Sequence, residues 1–91
     1  MEIDYDPAKN ARNIKELQLP FEQAAEYDFD TALTVVDNRR DYGETRFRSI
    51  GRLKGRVHVL VFVELPDGIR VISFRKGNKR EVRDYEKASK P

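Results

Sequence analysis

The stretch ETRFRSIGRLKGRVHVLVFVELPDGIRVISFR, residues 44–75, decides the fold class. From Arg56 to Glu64, Val57, Val59, Val61 and Val63 alternate with His58, Leu60 and Phe62. Alternation with β-branched residues marks a strand, and apolar side chains on both faces put that strand at the centre of a sheet. On its N-terminal side, Leu53-Lys54-Gly55 reads as a tight turn. Glu44 to Gly51 reads as a second strand, with Arg46, Arg48 and Ile50 on one face and Thr45, Phe47 and Ser49 on the other. On its C-terminal side, Pro66-Asp67-Gly68 is a turn signature, and Ile69 to Phe74 or Arg75 is the next strand. Turns this short favour antiparallel pairing of neighbours.

Working outward, Ala32 to Asp37 is rich in Val and Thr and predicts another strand, joined by the polar turn Asn38 to Gly43. Glu2 to Tyr5 alternates as a short edge strand. Asp6-Pro7 has the form of a helix start, with Asp accepting from the free amides and Pro at the first helical position. Ala8, Ala11, Ile14 and Leu17 then predict a buried apolar face, opposite Lys9, Arg12, Lys15 and Glu16. Pro20 ends that helix, and a second is expected from Phe21 to about Asp28, burying Phe21, Ala24, Ala25 and Phe29. At the other end, Asn78-Lys79-Arg80-Glu81 has capping-box spacing. It predicts a helix to about Ala88 that buries Val82 and Tyr85, with residues 89–91 frayed. The whole reads as one α+β domain, 1–91: β-α-α, then a four-stranded antiparallel meander, then a C-terminal helix, with the first helices over one sheet face.

Composition narrows the function. With 91 residues, 38% hydrophobic and 37% charged, the chain has material for one modest core in a charged shell. It has no cysteine, which excludes disulfides, Cys metal sites and Cys nucleophiles. The acidic opening Met1-Glu2-Ile3-Asp4 is unlike a signal peptide, and the run Val57–Val63 is too short to cross a bilayer. A cytoplasmic protein without membrane association is the expectation. Residues 1–45 carry five Lys/Arg against eleven Asp/Glu, and residues 46–91 thirteen against five. Either the basic half forms a surface for a polyanion, or folding mixes the halves into a neutral surface.

One His and scattered carboxylates compose no metal-ligand set, and there is no Gly-rich phosphate loop and no Ser/His/Asp signature, so neither metal nor cofactor is expected. What stands out is arginine: Arg46, Arg48, Arg52, Arg56, Arg70, Arg75, Arg80 and Arg83 all fall in the second half. The flat guanidinium fork matches phosphate oxygens bidentately. Arg46 and Arg48 share a strand face, Arg75 ends the last strand, and Lys79 and Arg80 open the helix whose dipole also attracts anions. Metal-free RNA cleavage needs a base for the 2′-hydroxyl, cations on the phosphoryl group and an acid for the departing oxygen. Glu44, Glu64, His58, Tyr85 or a desolvated Lys could serve, and the residue types alone do not choose. Each also has a structural reading: strand arginines solubilise, His58 and Tyr85 pack, and Glu64 pairs with a neighbouring Arg.

Over nearly its full length the chain resembles the BrnT family of ribonuclease toxins. The resemblance is carried, in order, by Ile3-Asp4-Tyr5-Asp6-Pro7-Ala8-Lys9, Asn13 and Phe21-Glu22-Gln23-Ala24. It continues through Asp37, Gly43-Glu44-Thr45-Arg46-Phe47 and Ile50-Gly51, and ends with Ile69-Arg70-Val71-Ile72-Ser73, Arg75, Lys79-Arg80-Glu81 and Tyr85-Glu86. It implies a RelE-like fold and a ribonuclease that blocks translation until an antitoxin neutralises it. The implied partner is a ribbon-helix-helix, BrnA-like antitoxin, with two toxins on an antitoxin dimer and operator DNA bound through the complex. At matching positions it implies Glu44, Arg46, Arg70, Arg75, Lys79, Arg80 and Tyr85 as site residues. The residue reading adds Glu64 as a further base, and Arg48 beside Arg46, Arg70, Arg75 and Arg80 as phosphate-binding groups.

Four departures stand out. The family's frequent Lys-His-Gly run is Glu16-Leu17-Gln18 here. Phe74 replaces a residue that is usually small, so it is expected to narrow a substrate groove or stack on a base. Gly77 replaces a usual Ala, and Tyr5 a frequent Trp. If the absent His is catalytic, the alternative is a module of the same fold that binds nucleic acid or antitoxin without cleaving.

Overall fold

The computed structural model describes residues 1–89. The elements run β1 (Glu2–Tyr5), α1 (Pro7–Leu17), a 3₁₀ helix (Phe21–Glu26), β2 (Leu33–Asp37), β3 (Arg46–Leu53), β4 (Arg56–Leu65), β5 (Gly68–Lys76) and α2 (Lys79–Ser89). The five strands form one sheet in the order β1-β5-β4-β3-β2. Strands β2 to β5 pair antiparallel, each with its chain neighbour, and β1 lies parallel to β5 at one edge. The central strand is β4. The turn after β3 places Lys54 and Gly55 at φ 51° and 80°, the paired left-handed geometry that suits a two-residue hairpin.

One face of the sheet carries the core. Leu60 and Phe62 of β4, Ile69, Val71 and Phe74 of β5 and Leu53 of β3 pack against Leu19, Phe21, Ala24 and Tyr27. The expected helix from Phe21 to Asp28 is a shorter 3₁₀ helix, with Phe21 and Ala24 buried, Ala25 exposed and Phe29 partly buried. Its continuation tucks in Tyr27, whose hydroxyl meets the Ser49 hydroxyl at 2.8 Å. Burial pushes that phenol up to about 12.

Helix α1 corrects the sequence reading most sharply. Asn10 is its buried residue, while Ala8, Ala11, Ile14 and Leu17 are exposed. Amide chemistry explains the choice. The Asn10 carbonyl accepts from the Phe21 backbone N–H at 2.8 Å, and the Asn13 amide donates to the carbonyls of Leu19 at 2.9 Å and Phe74 at 3.0 Å. The chain between helix and sheet has unpaired backbone groups there, and two asparagines satisfy them better than an apolar face could. The Asp6 cap forms as expected, accepting from the Ala8 N–H.

At the other end the capping box closes as read: Asn78 Oδ1 accepts from the Glu81 N–H at 2.8 Å, and Glu81 Oε1 accepts from the Asn78 N–H at 2.9 Å. Tyr85 is buried and Val82 partly so. Ser89 still belongs to α2, and the fraying expected of residues 90 and 91 lies outside the described residues. Among the described residues no helix is long and apolar enough to cross a membrane.

Candidate functional site

A β-bulge creates the site. Val61 pairs with Ser73 and Phe62 with Val71, so Ile72 is an extra residue on β5. In an uninterrupted strand, Ile69, Val71, Ser73 and Arg75 would share one face. The extra residue switches the alternation after Val71, so Phe74 enters the core, 1% exposed, and Arg75 is delivered to the opposite face. The expectation that Phe74 lines a substrate groove is therefore corrected.

On that opposite face α2 packs against β3 and β4, and beside it lies a hollow of about 150 Å³. Its floor is Val59, Val61 and Ile72. Its walls are Arg46 and Arg48 from β3, Ser73 and Arg75 from β5, and Asp37, Arg39 and Tyr42 from the end of β2 and the connection that follows. Arg46 stands opposite Asp37 in the β2–β3 register, which brings the 38–44 connection to the arginines of β3.

Two carboxylates organise the cations. Glu81 takes Arg75 bidentately, Oε1 to Nη1 at 2.7 Å and Oε2 to Nη2 at 2.9 Å, and Oε2 also accepts from Arg48 Nη2 at 2.9 Å. The Arg75 hydrogen bonds, with help from the Asn78 amide and the Arg48 charge, lower the Glu81 carboxyl to about 2. Arg75 is raised by the same pairing, against opposition from burial and, less, from the nearby charge of Arg39. Asp37 accepts from Arg39 Nε and Nη2, both at 2.8 Å, and from the Tyr42 hydroxyl at 3.3 Å. That fork holds its carboxyl far below the usual range. Arg46 lies over the Tyr42 ring at 4.2 Å and donates to Glu44 at 3.1 Å, and Glu44 is 3.9 Å from Arg70. Arg70 in turn donates to Asp4 at 2.9 Å.

Of the residues singled out from sequence, the hollow unites Arg46, Arg48 and Arg75, with Glu44 and Arg70 joined to it through Arg46. It does not include Glu64, Lys79, Arg80 or Tyr85. Glu64 is exposed near the far end of β4, opposite Ile69. Lys79 lines a separate groove with Arg56, Arg83 and Lys87. Arg80 is exposed on the first turn of α2. Tyr85 is 2% exposed, and its hydroxyl donates to the Thr31 carbonyl at 3.2 Å. His58 is packed against Phe74, with Nδ1 2.8 Å from the Arg56 carbonyl, and burial lowers its pKa. Leu17 borders a different groove beside His58.

The residues that sequence reasoning missed here are Arg39, Tyr42, Asp37 as an anchor, and Glu81 beyond its capping role. Register was the available signal: pairing 33–37 with 46–50 puts a loop carrying Arg39 and Tyr42 next to Arg46 and Arg48.

Chemically, the hollow presents four guanidinium groups on an apolar floor, each with more N–H donors than its carboxylate partners occupy. Planar forks of this kind receive phosphate oxygens. Among the described residues, no three His, Asp or Glu side chains gather as a metal-ligand group.

No curated protein matches the chain. Residues 5–81, which contain every residue of the hollow, match the family described as "Ribonuclease toxin, BrnT, of type II toxin-antitoxin system". The chain belongs to this family of ribonuclease toxins, and membership implies an antitoxin as its partner.

Proposed function

We propose that the hollow binds the RNA backbone and that the chain cleaves it without a metal ion, by attack of the 2′-hydroxyl on the adjacent phosphate. The observation that carries this reading is the meeting of Arg39, Arg46, Arg48 and Arg75, from three separate segments, over one floor. Cations fixed where charge develops supply the stabilisation that a metal would otherwise provide.

Glu44 is the general base of this mechanism. Asp37 and Glu81 are locked by arginine forks, whereas Glu44 makes one hydrogen bond, to Arg46, and its side chain is 33% exposed. It takes the 2′-hydroxyl proton, O2′ bonds to phosphorus, and the bond from phosphorus to O5′ breaks. The Tyr42 hydroxyl gives its proton to O5′, and solvent then carries the proton held by Glu44 back to Tyr42, which restores both groups. The products are a 2′,3′-cyclic phosphate and a 5′-hydroxyl. Lys79 and Arg80 steer flanking phosphates, Tyr85 acts through packing, and Glu64 takes no part. Leu17 lies away from the hollow, so the absent family His does not bear on cleavage.

In the cell this activity halts translation by destroying RNA in the cytoplasm. The fold is of the RelE-like kind. The neutralising antitoxin carries a ribbon-helix-helix part, two toxins sit on an antitoxin dimer, and operator DNA is bound through that complex.

The test is end-group analysis of a single-stranded RNA incubated with purified protein in chelator, beside the same RNA with a 2′-deoxy substitution. Cyclic-phosphate ends that vanish at the deoxy position are expected. Cleavage that persists there, or that requires added metal, would refute the mechanism.

A further inference from the structure

Glu81 uses one carboxylate for two tasks. Oε1 closes the capping box on the Asn78 N–H and also meets Arg75, and Oε2 meets Arg75 and Arg48. Arg48 stands on β3 and Arg75 on β5, with β4 between them, so a group from α2 ties together two side chains that share no strand pairing. The side chain of Glu81 is 12% exposed, against 29% for Arg48 and 42% for Arg75. The carboxylate is the buried member, and the guanidiniums are the members open to solvent. That is the arrangement of a holder behind two forks rather than of an anion filling their mouths. Capping alone does not require it, because Gln at this position caps as well as Glu. The charge and the bidentate grip are what Glu adds. The two cations also repel each other, and a shared carboxylate between them offsets that repulsion.

We propose that Glu81 is the positioning residue of the RNA site: it holds Arg48 and Arg75 as one rigid pair and makes that pair depend on α2 being docked. The inference rests on the ribonuclease reading above and extends it. Substrate meets the arginines, not Glu81. Anything that lifts the first turn of α2 disassembles the phosphate clamp.

The experiment uses Glu81→Gln, which keeps the cap, with two readouts: binding and single-turnover cleavage of a short single-stranded RNA, and the Nε–H NMR signals of arginine-labelled protein. The variant has one negative charge fewer, so RNA binding is expected to hold or tighten. Cleavage is expected to slow about ten- to a hundredfold, the cost of misplacing groups by a fraction of an ångström to an ångström. The Arg48 and Arg75 signals should broaden as the side chains gain freedom. A purely structural role would not split binding from rate in this way. Full-rate cleavage by folded Glu81→Gln would overturn the proposal. If the wild-type chain itself cleaves nothing, the ribonuclease reading falls, and unchanged arginine signals in the variant would overturn the clamp separately. Should Glu81→Gln not fold, Glu81→Asp keeps the charge but shortens the reach, and its full-rate cleavage would be equally contrary.

Discussion

Gly51 and Tyr27 fit together only because glycine has no side chain: a Cβ on Gly51 would stand 2.5 Å from the Tyr27 hydroxyl oxygen. Gly51 lies within β3, and the phenol sits over it to reach Ser49. Gly51→Ala must displace the ring or bend the strand, an overpacking cost of about 1–3 kcal/mol. Chemical denaturation should show the loss, and Tyr27→Phe in the same chain should recover part of it. Undiminished stability of Gly51→Ala would show that the ring yields freely.

The Asn13 amide donates to the backbone carbonyls of Leu19 and Phe74 and so ties α1 to β5. Asn13→Ala is expected to cost about 1–3 kcal/mol, the range for exposing unsatisfied polar groups in a partly buried setting. Hydrogen exchange should then accelerate in α1 and the 3₁₀ helix before it does in β4. Uniform acceleration across the sheet would contradict the local role of these two hydrogen bonds.

Gln18 closes α1 at φ 53°, the left-handed conformation that glycine adopts without strain. Gln18→Gly is expected to stabilise the chain by roughly 0.5 kcal/mol, the relief of the left-handed strain less the entropy that glycine adds to the unfolded chain. A lower melting temperature would mean that the Gln18 side chain, which donates to the Lys15 carbonyl at 3.1 Å, outweighs the strain.

The Glu81 carboxyl is lowered from an ordinary 4.5 to about 2, chiefly by Arg75. A group more acidic in the folded than in the unfolded state binds protons preferentially when unfolded. Its stabilisation is present above about pH 4.5 and is lost as the pH falls toward 2. Stability measured across that window should decline, and the Glu81→Gln variant should show a shallower decline. Identical slopes would place the acid sensitivity elsewhere, with Asp37 the next group to examine.

The sheet was legible because period-two alternation is strong when both faces of a strand are buried, as at Val57 to Val63. The capping box was legible because its spacing is a local geometric requirement. Helix α1 misled because an apolar stripe at helical spacing is only a tendency. Backbone groups in the 19–21 segment needed amide partners, and that need is set by tertiary structure. The bulge at Ile72 was invisible for a similar reason: nothing in Arg70-Val71-Ile72-Ser73-Phe74 announces an extra residue, yet it decides which face receives Arg75. Arginine on the strands could be named from sequence, whereas the convergence of Arg39 and Glu81 on those arginines required the β2–β3 register and the docking of α2.

In the proposed mechanism the arginines of the hollow act together on one phosphate. The most direct test measures the rate of single-stranded RNA cleavage in chelator by the wild-type chain, by Arg48→Ala with Arg75→Ala, and by Lys15→Ala, exposed in the last turn of α1, as a control. The double variant is expected to lose about a hundredfold or more while remaining folded, with the control within about twofold of wild type, the small effect of an exposed charge away from the site. Cleavage by the double variant at the wild-type rate would contradict the account.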